Sequence, residues 1–333
     1  MPCLQEAAGE QISLGHPLID EYLELVRARA RRNTLLATAY DLKVFFEHVE
    51  VDPLEVTVAD LLGFVKAQRQ GPSTVTRIDG SSGLALSTIK RRLSTLSGFY
   101  AYLVATDRLE RSPVLPGLAT RASTRRGRRG VPLVRSSRQL PRILEPDEVS
   151  ALLGALRKWR DRAMVEAMVL GGLRRAEVLG LRLEDLRPGE RRGFVADGKG
   201  GHQRLVPMSS RFFASVAAYI DTERPGDVDD EFVFVVLKGP NRGQPLSPKG
   251  LEQILRGARE RAGLEHATCH ELRHTCLTRL REAGMALEAV QAQAGHRSIE
   301  STRIYLHLAN DWLAGEYARA AEAIDTDVFG ATA

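Results

Sequence analysis

A segment without acidic residues divides this chain of 333 residues into two parts. It runs from Arg111 to Arg142 and contains nine arginines, four prolines and three glycines. The segment shows no apolar periodicity, so it offers no face that a hydrophobic core would bury, and its composition predicts a linker. Because the linker contributes no core, the residues on either side must each bury their own. The sequence therefore predicts two domains.

The linker also concentrates the positive charge of the chain. It carries +9, whereas the whole chain carries only +5, so the remaining residues sum to −4. A basic band on a nearly neutral body suits a polyanion, and nucleic acid is the first candidate. A GC-rich coding bias would explain the excess of arginine over lysine, but it does not explain the clustering. We expect four linker arginines to contact DNA phosphates: Arg125, Arg126, Arg128 and Arg129.

The cysteines and the apolar runs bear on the compartment. Cys269 and Cys276 lie on one predicted helix, roughly 10 Å apart along its axis, which is too far for a disulfide. Without a disulfide framework, a reducing cytoplasm fits best, with association with the nucleoid if the ligand is DNA. We find no apolar run of membrane-spanning length and no signal-peptide pattern, so we expect no membrane partner.

The N-terminal part is predicted to be a small helical domain over residues 13–110, after a loose tail over residues 1–12. Apolar residues recur at helical spacing in four segments of this domain: 17–31, 34–49, 57–69 and 87–103. Polar residues suited to N-capping stand at the start of three of them: Thr34, Thr57 and Ser87.

The last of these helices has a basic first turn. Lys90, Arg91 and Arg92 lie largely off its apolar stripe, close to its N-terminus. Backbone amides and basic side chains at such a position favour a phosphate. We therefore expect these three residues to contact DNA, and a solvated helix face is the alternative.

The C-terminal part, residues 143–333, is predicted to be a mixed domain that ends in a helix over residues 311–323. A first helix begins at Glu145, and helical spacing recurs in several further segments: 160–170, 174–179, 247–262, 270–283 and 286–294. Two β-patterns separated by glycines, 193–197 and 203–208, predict a hairpin. The predicted fold class is mainly α with a small β-hairpin or sheet.

Tyr305 is the candidate nucleophile. A phenol has a pKa of about 10, so it attacks a phosphodiester only where its proton is removed or its oxyanion is stabilised. Ile299, Thr302 and Leu306 can hold a short predicted helix by its apolar side and leave Tyr305 beside that stripe, facing a cleft. His296 precedes this helix and follows a glycine that allows a sharp turn. An isolated tyrosine is usually a packing residue, so this interpretation depends on its neighbours.

A second set of residues is suited to binding a phosphate. Arg273 follows His270 by about one helical turn, so both side chains share a helix face. A guanidinium beside an imidazole binds phosphate oxygens and stabilises the charge that develops during phosphoryl transfer. Arg174 would supply a second guanidinium, and Glu177, one turn further on, would orient it. A surface ion pair is the alternative for these last two residues.

Lys199 is the candidate proton donor. It lies at the tip of the predicted hairpin, in the sequence D-G-K-G-G. A lysine on a mobile turn can reach into a groove and protonate a leaving group. An ordinary turn lysine is the alternative, although lysine is rare in this arginine-rich chain.

Together these motifs resemble those of the tyrosine recombinase, or phage integrase, family. They occur in that family's order over residues 145–310, and S-T-I-K-R-R-L resembles its core-binding segment more weakly. The matching motifs are G-L-R-R-A-E-V with Arg174, G-K-G-G with Lys199, H-E-L-R-H-T with His270 and Arg273, G-H with His296, and T-R-I-Y-L-H with Tyr305. The resemblance implies an α-helical core-binding domain and a mixed α/β catalytic domain that close on DNA as a clamp.

The resemblance also implies a reaction and its partners. Tyr305 would attack a scissile phosphate and leave a 3′-phosphotyrosine and a free 5′-hydroxyl. The other roles would fall to five side chains: Arg174 and Arg273 on the non-bridging oxygens, Lys199 as acid for the leaving oxygen, His270 in acid–base transfer and His296 in a bond to the phosphate. The covalent link conserves the bond energy, so no metal or other cofactor is expected. Double-stranded recombination sites would be bound by a homotetramer on two duplexes, or by a pair with a related recombinase.

Two other functions remain open at this point. The segment from His270 to His274 reads H-E-L-R-H, which matches the zinc metalloprotease signature of two histidines and a glutamate base. The longer form of that signature needs a glycine and a histidine where this chain has Leu277 and Leu280. A DNA-binding protein without catalysis is the second alternative. Such a protein would not need all six candidate catalytic residues: Arg174, Lys199, His270, Arg273, His296 and Tyr305.

Overall fold

The computed structural model describes residues 5–7, 11–70, 83–115, 142–196, 203–228, 230–296 and 302. It divides into two units, Met1–Arg138 and Gln139–Ala333, and each unit has its own hydrophobic core. Most of the predicted linker lies outside the described residues, so the predicted domain limits stay predictions. Within the described ranges, no helix is both long and apolar enough to cross a membrane.

The N-terminal unit begins with a short antiparallel ribbon. Its strands are β1 (Gln5–Ala7) and β2 (Gln11–Ser13). This ribbon corrects the prediction of a loose tail over residues 1–12. Ile12 of β2 is buried in the core of the unit, and this burial stabilises the ribbon.

Four helices complete the N-terminal unit: α1 (Pro17–Arg29), α2 (Arg32–Val49), α3 (Val58–Gln70) and α4 (Leu86–Ala105). Aromatic rings fill the space between them. The Phe45 and Phe64 rings meet edge to face with centroids 5.1 Å apart, and the Phe46 and Phe99 rings do so at 5.9 Å. Such pairs add to the stabilisation that the burial of apolar area provides. The four predicted helices are therefore present, and each of their ends lies within two residues of the prediction.

The C-terminal unit contains seven described helices: α5 (Pro146–Gly154), α6 (Trp159–Val169), α7 (Arg175–Leu179), α8 (Ser210–Thr222), α9 (Pro248–Arg261), α10 (Cys269–Glu282) and α11 (Leu287–Ala294). Helix α6 lies at the centre and packs against α8 and α10. Residues 163–169 of α6 are all buried, which is why that helix has no polar face. The short predicted helix that contains Tyr305 lies outside the described residues except for Thr302, and the predicted helix over residues 311–323 lies outside them entirely.

A three-stranded antiparallel sheet flanks these helices, in the order β3 (Leu186–Arg187), β4 (Arg192–Val195), β5 (Arg204–Pro207). Strands β4 and β5 form the predicted hairpin. Strand β3 was not predicted, because two residues are too few to show an alternating pattern. The fold class, mainly helical with a small sheet, is confirmed.

A capping box starts helix α10, which carries two of the predicted site residues. The Thr268 hydroxyl accepts a hydrogen bond from the Glu271 backbone N–H at 3.2 Å, and the Glu271 carboxylate accepts one from the Thr268 N–H at 2.8 Å. The sequence T-C-H-E thus satisfies two backbone donors that a helix start leaves unpaired. His270 and Arg273 are held in the first turns of α10 as a result.

Candidate active site

Three of the predicted catalytic residues converge in the C-terminal unit. Arg174 precedes the first turn of α7, Arg273 lies on α10, and His296 follows the end of α11. The three come from separate parts of the sequence, but polar contacts connect them. Arg273 lies within hydrogen-bonding distance of His296, and both arginines approach the carboxylate of Glu177. The structure therefore brings together two guanidinium groups and an imidazole at one place.

Glu177 is the carboxylate around which the arginines assemble. Its Oε2 accepts a hydrogen bond from the Arg174 backbone N–H at 2.9 Å, and its Oε1 accepts one from Arg174 Nη1 at 2.7 Å. Glu177 is 4% exposed, so its charge is held away from water. Burial by itself would raise the pKa of Glu177, but hydrogen bonds from Arg204 and Arg174 bring the pKa below its ordinary value. Glu177 therefore stays ionised and accepts hydrogen bonds from Arg174, the residue that the sequence predicts it to orient.

Arg204 is a further member of this cluster and was not predicted from the sequence. Its Nη1 and Nη2 donate to the two carboxylate oxygens of Glu177, each at 3.0 Å. This is the bidentate geometry that a guanidinium and a carboxylate favour. The available signal was its position in the hairpin motif just after Lys199, but strand alternation does not identify the partner of a side chain.

Arg273 is buried, with 3% exposure. Its guanidinium donates to the Gly172 carbonyl oxygen, and Nη2 donates to the Ala294 carbonyl oxygen at 2.6 Å. A buried charge needs such partners, because desolvation would otherwise make it very costly. Gly172 has a φ of +69°, a conformation that favours glycine and that presents this carbonyl in the turn between α6 and α7.

His296 lies between Arg273 and Thr302. Its Nε2 is 3.2 Å from Arg273 Nη2, and its Nδ1 is 2.9 Å from Thr302 Oγ1. A guanidinium only donates, so Nε2 must accept and the proton of the neutral ring resides on Nδ1. Burial, followed by the positive charges of Arg273 and Arg174, lowers the pKa of His296 to about 4. The imidazole is therefore neutral at physiological pH in the absence of DNA.

Two further histidines lie on α10 and contact each other. The Nε2 atoms of His270 and His274 are 2.8 Å apart, as the i and i+4 positions of one helix allow. Burial, followed by the nearby charges of His270 and Arg273, lowers the pKa of His274 to about 4. His270 itself is exposed and lies on the side of α10 that faces a cleft.

This cleft has a volume of about 560 Å³ and is strongly basic. Arg174, His270 and Arg273 all line it, together with side chains from α9 such as Arg256 and Arg259. A sugar–phosphate group carries negative charge, so a concave site lined by guanidinium groups attracts it. The cleft therefore gives the catalytic candidates access to a substrate.

The remaining site predictions divide between the N-terminal unit and undescribed residues. Lys90 and Arg91 are exposed on α4, although Arg91 Nη1 also pairs with the fully buried Asp41 at 2.5 Å. Arg92 is buried instead, and its guanidinium donates to Gln68 and lies 3.7 Å from the fully buried Asp41. The prediction of Arg92 as a DNA contact is therefore wrong, because its side chain holds the core of the unit. Six other candidates lie outside the described residues: Arg125, Arg126, Arg128, Arg129, Lys199 and Tyr305.

The acid dependence of stability follows from the two depressed histidine pKa values. Both His274 and His296 have a pKa of about 4 in the fold, against an ordinary value of 6.5. Between these two values the unfolded chain binds protons that the folded chain does not, so stability falls as the pH is lowered through this window. We expect the melting temperature of the C-terminal unit in the full chain to fall across it. In the double variant His274→Gln, His296→Gln the fall should be shallower, and an unchanged slope would contradict the assignment.

Comparison with known proteins identifies the family. The phage integrase family model matches residues 142–311, and the N-terminal SAM-like domain of phage integrases matches residues 19–107. The chain belongs to the phage integrase family. It is a tyrosine recombinase, an enzyme that cleaves and rejoins DNA at specific sites.

The recombinase is similar in sequence to XerD tyrosine recombinases. It is 30% identical over 328 residues to tyrosine recombinase XerD of Caulobacter vibrioides, with 91% of this chain and 95% of that protein covered. It is 28% identical over 304 residues to XerD of Listeria monocytogenes, with 87% and 94% covered. The likeness therefore extends over both units.

Solved structures support the fold of the recombinase. The Tn1549 transposon integrase in complex with transposon right-end DNA matches with a TM-score of 0.68 and 19% identity, covering 91% of this chain and 99% of that one. The XerH site-specific recombinase bound to palindromic difH substrate matches with a TM-score of 0.63 and 20% identity, covering 92% and 83%.

Family membership decides against the zinc metalloprotease alternative. The local structure agrees, because the Glu271 carboxylate that would act as base caps its own helix. Within the described part of the chain, no group of three or more His, Cys, Asp and Glu side chains is arranged to hold a metal ion. The H-E-L-R-H motif of the recombinase is therefore interpreted as a phosphate-binding segment.

Proposed function

We propose that this recombinase transfers DNA strands through Tyr305. The phenolic oxygen attacks a scissile phosphate, a P–O bond to Tyr305 forms, and the bond to the 5′-oxygen breaks. The products are a 3′-phosphotyrosine and a free 5′-hydroxyl, and the same steps in reverse rejoin a new strand. No nucleotide hydrolysis is needed, because the phosphotyrosine conserves the energy of the phosphodiester.

The observation that carries this proposal is the convergence of Arg174 and Arg273 on the buried carboxylate of Glu177, with His296 hydrogen-bonded to Arg273. Glu177 carries a single negative charge, and three guanidinium groups approach it, so the cluster retains an excess of positive charge. Phosphoryl transfer spreads negative charge over the non-bridging oxygens, and a preorganised positive site stabilises that charge without reorganisation. We assign this role to Arg174 and Arg273.

The two histidines act on protons and hydrogen bonds. His296 is neutral in the unbound site, with a pKa of about 4 that burial and the adjacent arginines hold down. An anionic phosphate in the cleft raises that pKa, because an opposite charge favours the imidazolium form. His296 then donates a hydrogen bond to a phosphate oxygen. His270, at the mouth of the cleft, assists proton transfer at the tyrosine.

DNA recombination sites are the proposed substrates. Solved relatives include a recombinase bound to its difH site and a transposon integrase bound to transposon-end DNA. Lys90 and Arg91 of the N-terminal unit, and the four linker arginines 125, 126, 128 and 129, are proposed to contact phosphates. We propose that four protomers assemble on two duplexes, either as a homotetramer or with a related recombinase. The proposed location is the cytoplasm, in association with the nucleoid.

The assignment of Lys199 as the general acid makes a sharp prediction. Lys199→Ala is expected to cleave a normal duplex about 10² to 10⁴-fold more slowly than the unaltered chain, because the 5′-oxygen must then leave without a proton. Replacing that bridging oxygen by sulfur is expected to restore most of the rate, since a thiolate needs no proton to leave. Cleavage of a nicked duplex is measured on a denaturing gel with both substrates. Lys238→Ala, on a surface loop of the same unit, is the control and should cleave both normally. If sulfur fails to rescue Lys199→Ala, the strand-transfer mechanism needs a different acid.

A further inference from the structure

Arg204 occupies the end of the β4–β5 ladder that is nearest to the turn containing Lys199. Its Cα pairs with that of Val195, the last residue of β4, so this rung is where the hairpin opens into its turn. Lys199 lies between these two residues in the sequence. This rung is therefore the last paired position of the two strands before the segment that contains Lys199.

The Arg204 side chain connects this rung to Glu177, the carboxylate that Arg174 and Arg273 also approach. Both terminal nitrogens bond Glu177 at 3.0 Å, and Nε donates to the Gln293 carbonyl oxygen at 3.3 Å. Gly295 approaches the same guanidinium so closely that a Cβ there would lie 2.9 Å from Arg204 Cζ. The side chain is 13% exposed, so water does not compete strongly for these bonds. A planar guanidinium that is bound in this way permits little movement of the strand that carries it.

We propose that Arg204 is a positioning residue for Lys199. By binding the carboxylate that also holds Arg174, it fixes the loop-side end of the hairpin relative to the phosphate site. Lys199 then delivers its proton to the leaving 5′-oxygen from a defined position, while Arg204 neither gives nor accepts a proton. This inference rests on the proposed role of Lys199 as general acid. A displacement of a reacting group by about 1 Å is enough to cost on the order of 10²-fold in rate, so anchoring of this kind has a measurable effect.

An alternative role for the same contacts is to hold Glu177 alone, and that role would give a different pattern of cleavage. If Arg204 served only to hold Glu177, its loss would disturb Arg174 and weaken the stabilisation of the phosphate. That defect would affect an oxygen-bridged and a sulfur-bridged phosphate alike, because both need charge stabilisation on the non-bridging oxygens. A defect in proton delivery affects only the oxygen-bridged substrate.

The test compares cleavage of the two substrates by the full chain carrying Arg204→Ala. We expect a loss on the order of 10²-fold with the oxygen-bridged duplex and recovery of most of that loss with the 5′-bridging sulfur. Arg204→Lys keeps a positive charge that can reach Glu177, so it should show a smaller loss with the same recovery. Arg192→Ala, at the far end of the same ladder and exposed, is the matched control and should cleave both substrates normally. Adding Lys199→Ala to Arg204→Ala should lower the rate little further, because both changes remove the same step.

The outcomes separate this inference from the proposed function. Equal losses with both substrates, or no loss at all, would overturn the positioning role of Arg204 while Lys199→Ala is still rescued by sulfur. If sulfur does not rescue Lys199→Ala, the general-acid assignment fails, and the inference about Arg204 fails with it. If Arg204→Ala does not fold, as judged by its thermal unfolding, the same comparison is made with Arg204→Lys.

Discussion

Tyr305→Phe is expected to bind its DNA site with normal affinity and to form no covalent protein–DNA complex. The substitution removes one oxygen atom and leaves the ring, so the packing of the side chain changes little. The oxygen is nevertheless the atom that forms the bond to phosphorus, and no other group at the ring can replace it. The expected effect is therefore complete loss of the adduct, which is larger than any effect of a stabilising side chain.

The measurement is a suicide duplex nicked beside the scissile phosphate, followed by a denaturing gel that resolves the adduct. Tyr40→Phe is a suitable control, because Tyr40 is an exposed tyrosine on α2 of the N-terminal unit, with 53% exposure. That variant should give as much adduct as the unaltered chain. An adduct that survives Tyr305→Phe would identify another residue as the nucleophile and would remove the central residue from the mechanism.

Arg174→Ala is expected to lower the rate of cleavage by on the order of 10²-fold or more, as the loss of a preorganised charge stabiliser does in other enzymes. Its guanidinium is oriented by Glu177 at 2.7 Å, so it does not have to be ordered when the substrate arrives. Removing it also leaves a share of the Glu177 charge uncompensated inside the unit. Both effects disfavour the build-up of negative charge on the phosphate.

Its neighbour Arg175 provides a matched control. Arg175 lines the same cleft, but its side chain is 41% exposed and pairs with Glu252 at the surface. Arg175→Ala removes an equal charge from the cleft without touching Glu177, so it should weaken DNA binding and leave the rate of cleavage within bound DNA nearly unchanged. Single-turnover cleavage at saturating protein separates the two effects. Equal rates for the two variants would show that Arg174 contributes only its charge to the cleft.

Most described helices of this recombinase were predictable because their apolar residues recur at the spacing of one buried face, although α8 was not predicted. Helix α4 is an example, since Ile89, Leu93, Leu96 and Tyr100 form a continuous stripe and all are buried. The capping box of α10 was present in the letters T-C-H-E, but the helix was predicted without it. Apolar periodicity and helix capping depend on residues that are close together in the chain, so the sequence shows both directly.

The residues of the candidate site could be selected from the sequence for a related reason. Only a few side chains can bind a phosphate, and Arg174, Arg273 and His296 each stand in a motif whose residue types suit that task. The role of Glu177 followed from its distance of one helical turn from Arg174. These residues lie together in the structure. Their catalytic roles, like those of Lys199 and Tyr305, remain predictions of the sequence.

Arg204 and Arg92 show what only the tertiary structure decided. Arg204 meets Glu177 across 27 positions of sequence and the Gln293 carbonyl across 89, and Arg92 turns inward toward a buried Asp41 on another helix. A guanidinium looks the same in a sequence whether it faces DNA, a catalytic carboxylate or a core. Its role depends on which distant partner folding brings within about 3 Å, and hydrogen bonding is too short in range for a local pattern to specify that partner.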